Sequence, residues 1–404
     1  MLAVAEAQQR IWAALGPGPL EWVDLADALG RVLARDLVAA RDQPPAAVSA
    51  MDGYAVRAAD TADPGRRLAV VAEIPAGRLP SAPLAPGEAA RIFTGGLVPE
   101  GADAILIQEN AEAVDGGVRP LVAVAPGTFV RPRALDFAAG WVGLPAGRRL
   151  DPLALGLAAA LGHAQLPVHR RPRIGVLATG DELRRPGAPL GPADVIASSL
   201  PMLAGLIRLW GGEPVDLGIA ADDPERLADA LDQAAGLDVL VTTGGASVGA
   251  HDLVQEALAR HGLRLDFWKI AMRPGKPLLF GRLAATPVLG LPGNAVSAAV
   301  CAIVFLRGLL RRAIALDPAL PLHPIRVAGG LPANDQREDY IRARLEPGPD
   351  GSVWARPAPR QDSSMLATMA HAGALLVRAP HAAPLDDGAA VPALRLAEIC
   401  DSFA

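Results

Sequence analysis

The 404-residue chain is poor in aromatic residues and in cysteine, and it has no long uninterrupted apolar run. Seven phenylalanines, six tryptophans and two tyrosines stand among 51% hydrophobic residues, so small aliphatic side chains must build the cores. The longest apolar stretch, Ala295 to Leu306, is interrupted by Ser297 and is shorter than the ~18–20 residues that a membrane span needs. The first twelve residues carry Glu6 and Arg10 and lack the apolar segment of a secretory signal. We therefore expect a cytoplasmic protein with no membrane partner.

Charge and cysteine usage exclude further classes of protein. The formal net charge is −5, and no basic block is long enough to be a nucleic-acid tail. Arg170, Arg171 and Arg173 surround a proline, which is more typical of a solvated linker than of a binding patch. Cys301 and Cys400 lack CxxC spacing, which argues against a zinc site, redox chemistry and a disulfide framework. We expect no nucleic-acid partner.

The pattern of apolar residues changes along the chain in a way that predicts four domains, the largest number that its length suggests. Apolar residues recur at helical spacing in residues 1–40 and again from Leu153 to Leu161, which predicts one discontinuous helical domain from residues 1–40 plus 141–171. Short β-like runs predict a small mostly-β domain over 41–140. Residues 172–322 predict an α/β domain, and 323–404 a C-terminal β domain. The β-like runs of the small domain are Leu68–Ile74, Ala104–Gln108 and Leu121–Val124.

The α/β domain gives the clearest pattern, because apolar strands alternate with loops and helices. Ser198 and Ser199 are expected to cap the first helix. This alternation predicts a doubly wound parallel sheet covered on both faces, with the ligand beyond the carboxyl ends of the strands. The predicted strands are Ile174–Ala178, Val215–Ala220, Val239–Thr242 and Val288–Leu291.

A glycine-rich loop follows the third predicted strand. Gly244, Gly245, Ser247 and Gly249 stand between that strand and a predicted helix, where backbone N–H groups could bind an anion such as a phosphate. The loop is neither a Walker A motif nor a GxGxxG dinucleotide motif. Glycines that serve only a tight turn explain the loop equally well.

A cationic segment lies further along the chain. Lys269, Arg273 and Lys276 fall within eight residues and are interspersed with prolines that restrict the backbone. They could clamp a phosphorylated ligand from the side. The alternative is a solvated pair of strands.

Carboxylates follow several of the strands, as Mg²⁺ binding requires. Asp181 and Glu182 follow the first strand, and Asp222 the second, while Asp252 opens the helix after the glycine-rich loop. Asp223 precedes a proline and is better explained as a helix cap, a role that Asp252 could share. Glu182 has no such explanation and is the best functional candidate.

Several motifs in order resemble the molybdopterin molybdenumtransferase family, which includes MoeA and the E domain of gephyrin. The resemblance runs from about residue 5 to the end, and the order of its motifs is highly specific. The motifs are Ser49 to Ala55, Thr94-Gly95 to Asp103, Thr179 to Leu183, Gly244 to Gly249 with Asp252, Lys269 to Lys276, Leu291 to Asn294, and Gln336 to Arg342.

The resemblance implies an elongated homodimer of four-domain subunits that inserts molybdate into adenylylated molybdopterin and releases AMP, assisted by Mg²⁺. In the family, Asp52 and Thr94 complete the cleft of the partner subunit, and Arg337 reaches in from the C-terminal domain. The molybdopterin adenylyltransferase of the preceding step is a candidate partner. The implied catalytic residues are Asp52, Thr94, Asp136, Glu182 and Asp252. The substrate-binding candidates are Gly244, Gly245, Ser247, Gly249, Lys269, Arg273, Lys276, Pro292, Asn294 and Arg337. The metal candidates are Glu182, Asp222 and Asp252.

The chain departs from the family pattern at a few positions. Ala295 replaces a usual proline, Arg273 replaces a common lysine and so changes donor geometry, and the residues around Asp136 are less acidic than usual. Two other functions stay open at this point. One is adenylylation of molybdopterin, the preceding step, and the other is a non-catalytic scaffold of the same fold.

Overall fold

The computed structural model of the protein describes residues 1–221, 229, 231–244, 259–260 and 262–400. It divides the chain into two compact units. The first unit contains Met1–Ala34, Gly147–Asp151 and Leu166–Ala404, and the second contains Arg35–Ala146 and Pro152–Gln165. The boundaries of the four domains remain a prediction.

Among the described residues, no helix is both long and apolar enough to cross a bilayer. One continuous helical run, from Ala295 to Ala313, contains a π-helical turn over Ala302–Leu306. The α-helices are Val4–Trp12, Pro152–Ala160, Ser199–Leu209, Ala295–Cys301, Arg307–Ala313, Leu366–Ala370 and Leu396–Cys400. Single 3₁₀ turns span Leu25–Asp27, Ala58–Thr61 and Gln108–Asn110.

A six-stranded central sheet organises the first unit. Its order is Glu213–Ala220, Arg173–Thr179, Val239–Thr243, Thr286–Leu291, Leu279–Leu283 and Leu263–Trp268. The first four strands are parallel, as the sequence predicts. The last two strands are joined by antiparallel pairings, which corrects the expectation of an all-parallel sheet. The reason is local: only a tight turn separates Leu279–Leu283 from Thr286–Leu291, and so short a connection allows only an antiparallel neighbour.

Both faces of the central sheet are covered. On one face, helices Val4–Trp12 and Ser199–Leu209 and the run from Ala295 pack against the sheet in one large apolar cluster. On the other face, Leu231, Ala234 and Leu237 cover a smaller cluster. The cores contain few aromatic rings, in keeping with the composition.

A second six-stranded sheet in the first unit is formed mainly by C-terminal residues, as predicted. The strand Met272–Arg273 joins it in parallel with Glu338–Asp339 and so ties the cationic segment to this sheet. Its strands, in order, are Met272–Arg273, Glu338–Pro347, Val353–Pro357, Leu322–Val327, Ala390–Arg395 and Ala374–Arg378, the last also pairing with the second.

The second unit, which contains residues 41–140, is mostly β. Its six-stranded sheet has the order Ala104–Ile107, Gly53–Val56, Glu88–Ile92, Leu68–Ile74, Gly117–Pro120 and Ala111–Val114. The strand predicted over Leu121–Val124 is wrong, because those residues form a bend and extended coil. Four two-stranded pairs complete the description: Leu20–Asp24 with Gln165–His169, Leu37–Val38 with Val142–Leu144, Val48–Ser49 with Val130–Arg131, and Leu183–Arg184 with Val195–Ile196.

Helix was over-predicted near the N-terminus. Only Val4–Trp12 is α-helical within residues 1–40, whereas Leu20–Asp24 is a strand that pairs with Gln165–His169. The buried Arg31 contacts both strands of this pair. Its guanidinium donates to the Glu21 carboxylate and, at 2.7 Å, to the carbonyl of His169. His169 lies 138 residues further along the chain, and a local spacing pattern cannot detect a partner at that distance. The helix Pro152–Ala160 matches the prediction.

Candidate functional site

The chain reverses direction within the central sheet at the strand Arg173–Thr179. From this strand it crosses to Glu213–Ala220 on one side and then returns to Val239–Thr243 on the other. The intervening helix Ser199–Leu209 covers one face, and Leu231, Ala234 and Leu237 cover the other. Such a switch point leaves a crevice beyond the carboxyl ends of the two adjacent strands, where ligands bind in open α/β sheets.

A cleft of about 890 Å³ opens at this switch point. Loops from the central sheet and from the C-terminal sheet line it together. Seven of the residues predicted from the sequence contribute to its wall: Glu182, Gly244, Arg273, Lys276, Pro292, Asn294 and Arg337.

Glycines allow the strand ends to approach each other here. Gly244 has φ +97°, and a Cβ at this position would collide with the Thr179 carbonyl oxygen at the end of the neighbouring strand. A Cβ added to Gly293, in the next loop, would lie 3.4 Å from the Gly244 Cα atom. Gly244 is therefore required by the packing of the loops, whether or not a ligand is bound.

Glu182 is exposed and lines the cleft. A Cβ on Gly180, which has φ +148°, would lie 2.6 Å from the Glu182 Oε2 atom, so the carboxylate occupies space that only glycine leaves free. The Glu182 carbonyl accepts a hydrogen bond of 2.8 Å from the Val195 N–H, which anchors the loop. No donor from the described residues pairs with the carboxylate, so it is available to a ligand.

The two cations of the Arg273–Lys276 loop differ in their partners. Arg273 pairs with the Asp339 carboxylate and, at 3.2 Å, with Asp335. The hydrogen bond to Asp339 raises the pKa of the Arg273 guanidinium above its usual value. Lys276 forms no ion pair within the described part of the chain, so its charge is available to an anion.

Arg337 is also neutralised by a neighbour. Its Nη2 atom lies 2.7 Å from the Asp335 Oδ2 atom, and its backbone N–H donates to Oδ1 at 2.8 Å. These contacts with Arg337, together with the charge of Arg273, lower the pKa of Asp335 to about 2. Arg337 lines the cleft as predicted, but its guanidinium already holds a carboxylate.

A loop of the C-terminal sheet also lines the cleft, although none of its residues was among the site residues predicted from the sequence. Asn294 does not cap its own helix with its side chain; its Nδ2 atom donates to the Ser363 hydroxyl at 2.9 Å. Arg342 is 1% exposed and donates to the Gln361 side chain at 3.1 Å and to the Asp362 carbonyl at 2.9 Å. These hydrogen bonds hold the loop that contains Ser363 in place. The family motif that includes Arg342 was the available signal.

Ser198 and Ser199 do not cap the helix that follows them, which corrects the sequence expectation. Ser198 makes no side-chain capping hydrogen bond. The Ser199 hydroxyl instead lies 3.0 Å from the Thr243 hydroxyl, inside the first unit. The end of the adjacent strand offers Ser199 a buried partner that a capping pattern cannot reveal.

Lys269 is absent from the wall of the cleft, unlike the other two predicted cations. Its backbone has φ +72°, and its Nζ atom lies 3.8 Å from the centre of the Trp268 ring. This cation–π contact stabilises the ammonium group next to the Trp268 ring. The role of Lys269 in binding substrate remains a prediction.

Asp52 and Thr94 form a small site within the second unit. The Asp52 Oδ1 atom accepts hydrogen bonds from the Thr94 N–H at 2.7 Å and from its hydroxyl at 2.8 Å. These bonds, with a smaller contribution from the charge of Arg91, lower the pKa of Asp52. Asp136, also in the second unit, is exposed, and its backbone N–H donates to the Gln43 carbonyl.

Five predicted site residues lie outside the described residues: Asp222, Gly245, Ser247, Gly249 and Asp252. Within the described ranges, no group of three or more histidine, cysteine, aspartate or glutamate side chains could hold a metal ion. Of the three predicted metal ligands, the structure therefore describes only Glu182.

Family models match almost the whole chain. The MoeA N-terminal region (domains I and II) matches residues 2–162, a probable molybdopterin-binding domain matches 175–312, and the MoeA C-terminal region (domain IV) matches 324–396. The chain belongs to the MoeA family. The resemblance and the fold class stated from the sequence are thereby confirmed.

Curated members of the MoeA family are similar over most of their length. Molybdopterin molybdenumtransferase 2 of Mycobacterium tuberculosis (strain H37Rv) is 41% identical over 338 residues, which cover 80% of this chain and 83% of the relative. The molybdopterin molybdenumtransferase of Nostoc is 38% identical, with 80% and 77% covered. A crystal structure of the molybdopterin biosynthesis MoeA protein of Pyrococcus horikoshii is 29% identical and superposes with a TM-score of 0.86, covering 98% of this chain and 99% of that one.

Proposed function

We infer that the cleft at the switch point is where this chain, an enzyme of the MoeA family, inserts molybdenum into molybdopterin. The observation that supports this best is that the cleft contains one cation and one carboxylate that are both without an ion-pair partner among the described residues. Lys276 offers a cation and Glu182 a carboxylate that no described residue neutralises, whereas Arg273 and Arg337 are already paired. A substrate that is anionic and also carries a metal-binding phosphate group suits such a site.

We propose adenylylated molybdopterin as the organic substrate and molybdate as the inorganic one. Molybdate is inserted at the dithiolene and AMP is released. Lys276 attracts the anions, while Gly244, Pro292 and Asn294 bring the backbone of two loops to the ligand. The glycine-rich residues Gly245, Ser247 and Gly249 and the carboxylate of Asp252 keep the roles that the resemblance implies.

Mg²⁺ is proposed as the cofactor. Glu182 fits it as an oxygen ligand, because its carboxylate faces the cleft and has no partner among the described residues. Mg²⁺ needs only one or two protein carboxylates when water and phosphate complete its shell, so the lack of a larger acidic cluster in the described ranges is compatible with it. Asp222 and Asp252 are the other proposed ligands. Bound there, the ion would neutralise phosphate charge.

We further propose a homodimer in which Asp52 and Thr94 of one subunit, together with Asp136, serve the cleft of the other. The helix Pro152–Ala160 of the second unit supports a dimer, because it has no polar side chain and yet leaves Leu153 86% exposed. Leu153, Gly156, Leu157 and Ala160 lie at helical spacing on one face, opposite the buried Ala154 and Ala158. An apolar face of this kind indicates a protein contact.

The enzyme is proposed to work in the cytoplasm. We also propose that it receives its substrate from the molybdopterin adenylyltransferase.

The decisive assay combines purified protein, adenylylated molybdopterin, Mg²⁺ and molybdate. We expect molybdate-dependent release of AMP and formation of active cofactor. Glu182→Gln should reduce the rate strongly, whereas Glu213→Gln, which changes an exposed glutamate at the start of an edge strand, should not. Lack of molybdate-dependent AMP release by the wild type would contradict the proposal. Consumption of ATP with molybdopterin in the absence of molybdate would favour the preceding adenylylation step, and no turnover at all would favour a scaffold.

A further inference from the structure

A second pocket adjoins the cleft within the first unit. Its volume is about 660 Å³, and it extends along the C-terminal sheet. Arg273, Pro274 and Gln361 line both the pocket and the cleft, so the two spaces are neighbours. A ligand larger than the cleft could therefore continue into the pocket.

The walls of this pocket are mainly apolar and contain several prolines. Pro274, Leu331, Ile341, Pro357 and Pro359 contribute to them. The volume is within the ~300–1,000 Å³ of typical small-molecule sites, which are apolar with few oriented polar groups. Walls of this kind suit a flat heterocycle better than a phosphate.

Most polar side chains around the pocket are already engaged. The Asn334 amide donates to the carbonyls of Arg337 at 2.8 Å and Ala379 at 2.9 Å. The Arg378 guanidinium donates to backbone carbonyls, and Arg356 pairs with Glu346 at 2.6 Å. These groups hold the walls in place and have little capacity left for a ligand.

Asp339 is different. It lines the pocket, is 5% exposed and uses its Oδ2 atom to pair with Arg273. Its Oδ1 atom is buried and has no hydrogen-bond partner in the described part of the chain. An unsatisfied buried acceptor is unfavourable, and native structures rarely keep one without a reason. A donor supplied by a ligand would satisfy it.

The surrounding charges indicate which donor would bind. Arg273 and Arg337 together balance Asp335 and Asp339. A further ion of either sign would upset this balance, whereas a neutral N–H group would not. The free site accepts hydrogen bonds only, because an ionised carboxylate has no proton to donate.

We propose that this pocket binds the amino-substituted heterocycle of the substrate, with its exocyclic amino group donating to the Asp339 Oδ1 atom. This inference rests on the proposed function, because adenylylated molybdopterin carries two such rings, a pterin and an adenine. Both rings present a neutral amino group at the edge of a flat system. The experiment below distinguishes them.

Binding to the full-length protein is measured by calorimetry with two matched ligand pairs. One pair is AMP and purine riboside 5′-monophosphate, which lacks only the amino group. The other is pterin and pteridin-4-one, which again lacks only the amino group. We expect the amino ligand to bind about tenfold or more tightly in one pair, since a hydrogen bond to a charged group is worth ~1.5–3 kcal/mol. The pair that shows the preference identifies the ring.

Asp339→Asn should abolish this preference, bringing the two affinities within about twofold of each other. Asp335→Asn is the matched control, because it makes the same change on a carboxylate of the same charge cluster that does not line the pocket, and it should retain the preference. Should Asp339→Asn fail to fold, Ala358→Phe leaves Asp339 unchanged but enlarges a side chain in the pocket wall, and it should weaken binding of the preferred ligand.

Two outcomes would overturn the proposal: no preference in either pair, or a preference that survives Asp339→Asn. Where Asp339→Asn does not fold, unchanged binding of the preferred ligand by Ala358→Phe would overturn it instead. Molybdate-dependent AMP release is measured on the same wild-type preparation. Its absence would contradict the proposed function, whereas lack of a preference in an active preparation would contradict only the role of this pocket.

Discussion

At the scale of single residues, the cleft depends on positions where a side chain would take the place of a functional group. Gly180 is the clearest case, since a Cβ there would enter the space of the Glu182 carboxylate. Gly244 has a similar restriction from the Thr179 carbonyl. A short polar loop at a strand end is thus restricted more by its neighbours than by its own conformational preferences.

Gly180→Ala is expected to displace the Glu182 carboxylate and reduce molybdate-dependent AMP release about as much as Glu182→Gln. Gly187→Ala is the matched control: Gly187 has φ +85°, so alanine is strained there too, but no atom lies within 4 Å of its Cβ position. Steady-state assays and melting temperatures of both variants distinguish displacement from strain. Equal loss of activity in the two variants would contradict the prediction.

Asp335 gives a prediction of pH dependence. Its pKa is about 2 in the folded protein because of Arg337 and Arg273, against about 3.9 in an unfolded chain. A depressed carboxyl pKa stabilises the fold above the unfolded pKa, and this stabilisation is lost as the pH falls from about 4 towards 2.

Asp335→Asn should therefore lower the urea midpoint of the first unit at pH 7, and the difference from the wild type should shrink below about pH 4. Asp317→Asn is the control, because Asp317 is exposed and its carboxylate forms no ion pair in the described part of the chain; its difference from the wild type should stay constant over this range. A constant difference for Asp335→Asn would argue against the ion pair.

At the scale of elements, the π-helical turn Ala302–Leu306 is stabilised by the N-terminal helix. Trp12 donates from its Nε1 atom to the Phe305 carbonyl at 3.0 Å, and Gln8 donates to the Val304 carbonyl at 3.3 Å. These side chains satisfy carbonyls in the part of the helix where regular α-helical bonding is interrupted. Gly308 leaves the room in which the Trp12 ring packs.

Gly308→Ala should destabilise this contact by about 1–3 kcal/mol, because the new Cβ would overlap the Trp12 ring. Gly205→Ala, in the helix Ser199–Leu209, meets no atom within 4 Å and should stabilise the fold by up to about 1 kcal/mol through helix propensity. Differential scanning calorimetry compares the two. A melting temperature raised by Gly308→Ala would show that the ring can move away without loss.

At the scale of the whole molecule, the apolar face of Pro152–Ala160 carries the prediction of a homodimer. Leu153→Asp should place a charge in that face and convert a dimer to a monomer in light scattering. Leu79→Asp is the control, since Leu79 is 83% exposed in a loop of the same unit and should leave the mass unchanged. A monomeric wild type, or a dimer insensitive to Leu153→Asp, would exclude this face as the dimer contact.

Much of the architecture could be predicted because its signals are local. The alternation of apolar strands with loops and helices predicts the parallel core of the central sheet, and the polar loops fall at the strand ends where the cleft lies. The helical pattern expected of residues 1–40 failed at Leu20–Asp24, because this strand depends on a partner more than 140 residues away, at Gln165–His169. Short apolar spacing cannot distinguish a helix from a strand that is paired at long range.

By itself, the sequence determined the family, the fold class and the group of loops from which the site is built, since motifs and periodicity are properties of neighbouring residues. Only the tertiary structure decided which charges are free. Lys269, Arg273, Lys276 and Arg337 look equivalent as cations in the sequence, yet Trp268 engages the first, and carboxylates neutralise Arg273 and Arg337. Arg273 meets its partners 62 and 66 residues further along the chain. Charge is a property of the residue, but its availability depends on which distant residues the fold brings within hydrogen-bonding distance.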